Sequence, residues 1–154
     1  MIPAEQSHLQ IAADSHPGMM GKNNEDQFSV SAFQLSATDT TPSLFAILAD
    51  GIGGHQAGEV ASEIAVEMIS QAAAQSDGSQ PTAIMQAAII QASQAILAES
   101  KREGADGKLR ATLIGMPLLD SRGRLIGVNT AIMLEALDVV YDADHLIEEL
   151  TIVE

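Results

Sequence analysis

The chain has 154 residues, enough for a single domain over 1–154 with a real core and no need of disulfides or structural metal. Hydrophobic residues make up 46% and charged residues 18%, which argues against disorder in spite of a net charge of -14. With 21 acidic side chains against 7 basic ones, the surface repels phosphate backbones and anionic lipid and attracts divalent cations, so neither nucleic acid nor a membrane is an expected partner.

Cysteine is absent, which removes disulfides, thiolate metal sites and a cysteine nucleophile while leaving the redox compartment open. Met1-Ile2-Pro3-Ala4-Glu5-Gln6 lacks the basic and apolar regions of a secretory signal, and no apolar run reaches membrane-spanning length. A soluble, cytoplasmic protein is the expectation.

In chain order, Leu9, Ile11 and Ala13 alternate with Gln10 and Ala12, and Phe28, Val30 and Ala32 alternate with Gln27, Ser29 and Ser31. Both stretches read as half-buried strands. Leu44 to Ala49 is apolar throughout and reads as a central strand covered on both faces. Ser36 to Ser43, rich in Ser and Thr with Pro42, is turn chemistry and makes the flanking strands antiparallel neighbours.

After Gly58 the period changes. Val60, Ile64 and Met68, with Ala61, Ala65 and Ile69 beside them, form a helical apolar stripe, and Glu59, Glu63 and Glu67 its wet face. Pro81 suits the first turn of a second helix whose Met85, Ile89, Ala92 and Ile96 face one way, ending at Lys101-Arg102-Glu103-Gly104. Thr112 to Leu119 and Arg124 to Val128 read as a hairpin around Asp120-Ser121-Arg122-Gly123. From Ala131 onward helical and strand signals mix.

The chemistry concentrates in two places. Asn23-Asn24-Glu25-Asp26 opens one strand, and Asp50-Gly51-Ile52-Gly53-Gly54-His55 closes the next and starts a helix. Three carboxylates near strand ends, beside a glycine turn, make a site for a hard divalent cation. Asp50, ending a buried strand, calls for a cationic partner. Two phosphate-loop readings fail: a dinucleotide fingerprint from Gly51 needs glycine where Gln56 stands, and a P-loop from Gly53 has Glu59-Val60 where Lys and Ser or Thr are required. The glycines alone read equally well as a tight strand-to-helix turn. His55 at the helix start is read as a capping or surface residue, with a phosphate-facing role as the functional alternative. His8, His16 and His145 lack zinc-site spacing.

Asn23-Asn24-Glu25-Asp26-Gln27-Phe28 and Ala49-Asp50-Gly51-Ile52-Gly53-Gly54-His55-Gln56-Ala57-Gly58-Glu59-Val60-Ala61-Ser62 resemble the first motifs of the PPM (PP2C-type) metal-dependent serine/threonine protein phosphatases in their bacterial form. The resemblance covers roughly residues 7–103 and leaves 104–154 divergent. It implies an α+β fold, an antiparallel β-sandwich flanked by helices, here abbreviated at its C-terminal side, with two Mn2+ or Mg2+ ions at the sheet edge. By resemblance Asp50 bridges both ions, the carbonyl of Gly51 and the carboxylate of Glu25 complete the second site, and Asp26 holds the attacking water. The implied function is hydrolysis of phosphoserine and phosphothreonine in phosphoprotein substrates.

The sequence departs from the family in three places. Gly21 stands where the family places a phosphate-holding arginine, leaving Lys22 as the nearby cation. Lys108-Leu109-Arg110-Ala111-Thr112 replaces a glycine-rich strand, and the motifs with the remaining metal-binding aspartates are not found in these 154 residues. Asp138, Asp142 and Asp144 read as exposed turn carboxylates, with a substitute ligand role as the alternative. Separately, Pro117 to Ile132 resembles the strand pair that follows the nucleophile in HtrA-type trypsin-like proteases, with Ile114 where the serine would stand, so acylation chemistry is excluded. The alternative to an enzyme is a non-catalytic structural or partner-binding protein on a truncated or hybrid phosphatase fold, as a homodimer burying the surface that further strands would cover.

Overall fold

The computed structural model describes residues 1–17, 19, 23–52, 56–102, 110–113, 116–119, 125–129 and 132–135. In chain order the elements are β1 (Ile2–Pro3), β2 (Asp26–Gln34), β3 (Pro42–Ile52), α1 (Gln56–Gln75), α2 (Pro81–Arg102), β4 (Arg110–Leu113), β5 (Met116–Leu119), β6 (Leu125–Asn129) and β7 (Ile132–Glu135). One sheet runs β1-β2-β3-β4-β7 and a second consists of β5-β6, with every pairing antiparallel. The expected α+β class, antiparallel sheets with helices against them, is what the chain forms. Among the described residues no helix is long and apolar enough to cross a membrane.

β2 and β3 pair over their whole common length, from Asp26 opposite Asp50 to Gln34 opposite Pro42. The connection between them is held by its own polar side chains. Ser36 N–H donates to the carbonyl of Asp39 at 2.9 Å, and Oδ1 of Asp39 accepts from the amide and hydroxyl of Thr41 at 3.0 and 2.6 Å. This is the turn chemistry that the Ser/Thr-rich stretch announces.

The two faces of β3 differ, which corrects the expectation that both are covered. Ile47, Ala49 and Gly51 are buried, whereas Leu48 and Ile52 on the opposite face are 38% and 37% exposed. The reason is that α1 packs on one side of the sheet, against β2, β3 and β4, and α2 lies against α1 and β7. β5 of the second sheet also lies against β3.

A second correction concerns residues 9–13, which form no strand; Ile11 is 43% exposed. The outer edge of β2 is taken by Ile2–Pro3 at one end, with the Ala4 amide donating to the Ala32 carbonyl at 2.9 Å. The chain reaches the other end at Ser15, whose Oγ accepts from Asn24 Nδ2 at 2.7 Å. Alternation shows that a segment is able to lie on a sheet, and does not by itself supply a strand partner.

Both helices follow their apolar stripes. In α1 the centre of the buried face is Ala61, Ala65 and Ile69, Val60, Ile64 and Met68 lie at its margin, and Glu63 and Glu67 are exposed. In α2, Ile89, Ala92 and Ile96 are buried and Met85 is partly so. These side chains close on Ile47, Ala49 and Ala111 in one core cluster. Alanine at the helix–sheet contact lets the backbones approach, so the larger Ile69 and Ile96 fill the interior, each contributing about 2 kcal/mol. The amino group of Met1 donates to the carbonyls of Ala74 and Ser76, at the end of a helix that has no basic residue in its last turn.

The expected hairpin forms between β5 and β6, with Pro117 opposite Val128. Its first arm is shorter than expected: Arg110–Leu113 is a separate strand that joins β3 to β7, and Met116–Leu119 alone pairs with β6. The apolar pattern of this stretch does not distinguish one strand from two that belong to different sheets.

Candidate metal centre

The start of β2 and the end of β3 meet because the ladder between them is antiparallel, and this sets Asp26 opposite Asp50. The Gly51 amide donates to the carbonyl of Glu25, opposite it, at 3.1 Å, and the Leu35 amide to that of Thr41 at 3.3 Å. Antiparallel partners alternate in type, so the odd-numbered pairs at both ends are hydrogen-bonded and Asp26–Asp50 is a non-hydrogen-bonded pair. Side chains approach closest in such pairs. Asn24 fixes the strand entry, its Oδ1 accepting from the Asp26 amide at 3.1 Å.

Glu25 is held from three directions. Its carbonyl accepts from Gly51 and also from Oγ of Ser62 on α1, at 2.6 Å. Its carboxylate lies against Gly58 in the first turn of α1, where an added Cβ would stand 2.3 Å from Oε2. Gly51 is equally confined: a Cβ there would stand 2.2 Å from the Gly58 carbonyl oxygen and 2.7 Å from that of Glu25. Glycine at both positions is therefore a requirement of close approach between strand end and helix start. The first turn of α1 also favours a carboxylate through its unpaired amides and dipole.

The carboxyl of Asp50 is pushed above the usual carboxylate range, chiefly by burial, then by the charge and hydrogen bond of Asp26, and last by the charge of Glu25. Three acids thus crowd one end of the sheet. The donors are all hard oxygens, the type that suits Mg2+ or Mn2+. Glu25, drawn to Gly58, stands to one side. Among the described residues no group of three or more His, Asp or Glu side chains is gathered to hold a metal ion.

Of the residues singled out from sequence, Glu25, Asp26, Asp50 and Gly51 come together. Lys22, His55, Asp138, Asp142, Asp144, Ile114 and the turn Asp120-Ser121-Arg122 lie outside the described residues. Sequence reasoning passed over Ser62 and Gly58. A signal for Ser62 was present: it falls in helical register with Val66, Ile69 and Ala73, a hydroxyl on a buried face.

Residues 19–128 match the family model of protein phosphatase 2C. The chain belongs to the protein phosphatase 2C family. It is 34% identical over 128 residues to the serine/threonine protein phosphatase PstP of Mycobacterium tuberculosis, in each of two strains. That match covers 77% of this chain and 23% of PstP, so the chain spans under a quarter of the length of the curated relatives it matches. Protein phosphatase 2C enzymes are hydrolases that generally depend on Mn2+ or Mg2+, in keeping with the oxygen-only donor set. The matched residues run from before β2 to within β6, and so include the β5–β6 hairpin.

Proposed function

We propose that this chain is a metal-dependent phosphatase domain that hydrolyses phosphoserine and phosphothreonine monoesters, with Mn2+ or Mg2+ held by Asp26 and Asp50. The single observation that supports it most is the facing pair itself, with Asp50 pushed toward its neutral form by burial and two like charges, in a chain of the phosphatase 2C family. Glu25 and the carbonyl of Gly51 are the further oxygens within the same strand ends. When bound, the ions would lower the pKa of water and neutralise charge on the phosphoryl group.

The residues of the chain have distinct parts in this reading. Asp50 carries the charge that draws the cation. Asp26, opposite it, accepts a hydrogen bond from the attacking water and orients it toward phosphorus. Gly51 and Gly58 let strand and helix approach closely, with the Glu25 carboxylate against the first turn of the helix. Phosphate recognition falls to Lys22, just before the first motif, and His55, within the second. The net charge of -14 makes a cation at this site the means by which an anionic substrate is accepted.

The test is hydrolysis of p-nitrophenyl phosphate against Mn2+ concentration by the purified chain and by Asp50→Ala. Turnover that rises with Mn2+ and disappears in the variant is expected. An inert wild-type chain at saturating Mn2+ sinks the catalytic reading.

The second reading is a partner-binding or structural domain on the phosphatase fold, and one observation favours it: no three-ligand group is gathered among the described residues. Such a protein would melt at the same temperature with Mn2+ and with chelator.

A further inference from the structure

We propose that Ser62 is a positioning residue of the candidate centre: its hydroxyl, on the buried face of α1, holds the Glu25 carbonyl and thereby fixes the Glu25 and Asp26 carboxylates relative to Asp50. The inference rests on the metal-binding reading above.

Ser62 is completely buried, one of the few polar side chains in the interior. Its Oγ lies 2.6 Å from the Glu25 carbonyl oxygen and 3.0 Å from that of Glu59, one turn back on its own helix. A serine hydroxyl has one proton, and the shorter contact takes it. The Glu59 bond is the local one that any buried helical serine finds. The Glu25 bond spans 37 residues and ties the helix to the strand entry.

That carbonyl is a junction. It accepts from Ser62 on α1 and from the Gly51 amide on β3, at 3.1 Å, which uses both of its lone pairs. The peptide it belongs to links Glu25 to Asp26. Fixing this peptide plane sets the direction in which both carboxylates leave the backbone. The next polar anchor, Asn24 Oδ1 to the Asp26 amide, completes the frame from the other side at 3.1 Å. The hydroxyl touches neither cation nor substrate, so its action is through Glu25 and Asp26. Outer partners of this kind typically alter metal affinity by about 10- to 100-fold when removed.

The experiment compares wild type, Ser62→Ala and Ser62→Cys. Cysteine keeps a γ atom but is larger and only a weak donor, so it leaves no cavity while weakening the hydrogen bond, and it serves if alanine fails to fold. Two quantities are measured: amide hydrogen exchange at Gly51 relative to Ala49 without metal, and Mn2+ affinity by electron paramagnetic resonance.

Both variants are expected to speed Gly51 exchange about fivefold. They are expected to weaken Mn2+ binding about tenfold. The secondary structure by circular dichroism stays unchanged. Gly51 exchange at the wild-type rate in both variants overturns the proposal, as does faster exchange with undiminished Mn2+ affinity. A wild-type chain that binds no Mn2+ overturns the metal reading, and with it the positioning role, while the exchange data then report a purely structural clamp.

Discussion

Asp26 and Asp50 face each other across the β2–β3 ladder in the pair type that brings side chains nearest. Nothing in the local preferences of aspartate favours this; the acids are held there by the apolar residues and backbone bonds of the two strands behind them. The pair is a point of like-charge tension that the rest of the ladder sustains.

That tension has a pH signature. The folded carboxyl of Asp50 titrates above its unfolded value, so on raising the pH the unfolded chain gives up its proton first. The stabilisation is complete below the ordinary aspartate pKa and is lost as pH rises through the raised one. Asp50→Asn in chelator should therefore melt higher than wild type at neutral pH, by about 4 °C, and the difference should vanish in acid. Thermal unfolding across that range checks it. Asp39 and Asp77 shift downward and act in the opposite sense, but they are exposed and common to both proteins.

Metal should relieve the same tension. With Mn2+ at about 100 times its dissociation constant the folded state gains about 2.7 kcal/mol, visible as a higher melting temperature. Asp50→Asn should show little of that rise. An equal rise in both proteins by scanning calorimetry would place the ion elsewhere.

The two glycines should respond unequally to alanine. At Gly51 the new Cβ meets backbone, with the Gly58 carbonyl oxygen at 2.2 Å and its carbon at 2.4 Å. At Gly58 its nearest neighbour is the end of the Glu25 side chain, which can turn aside, although the backbone of Gly51 stands at 2.9 Å. Gly51→Ala should lose about 3 kcal/mol or fail to fold. Gly58→Ala should keep more stability and lose Mn2+ affinity, because Glu25 is the group displaced. Urea unfolding with Mn2+ titration separates the two.

The core makes a simpler demand. Ile96 is fully buried, and Ile96→Ala should cost about 3 kcal/mol. Leu48, 38% exposed on the far face of β3, should cost clearly less on the same change. Equal losses in urea would mean that the far face of the sheet is packed as tightly as the helical one.

Much of this was legible because burial imposes a period. Ala61, Ala65 and Ile69 repeat as a helix must, and Leu44 to Ala49 could be nothing but a strand or a buried helix segment, which flanking turn residues settle. The acids were legible because charge beside an apolar strand demands a partner. Residues 9–13 misled because alternation says that a segment could pair, not that it does. Ser62 was passed over because a small polar residue within an apolar stripe resembles tolerated noise, and its partner lies 37 residues away.

The ladder between β2 and β3 also acts as a proofreader of the chemistry. A slip of one residue would turn Asp50 toward α1, among Ala61, Ala65 and Ile69, and bring a side chain to the place where Gly51 has none. Any chain that folds with the wrong alignment meets a buried charge and a steric block together. The acids can thus be assembled only in the alignment that sets them face to face.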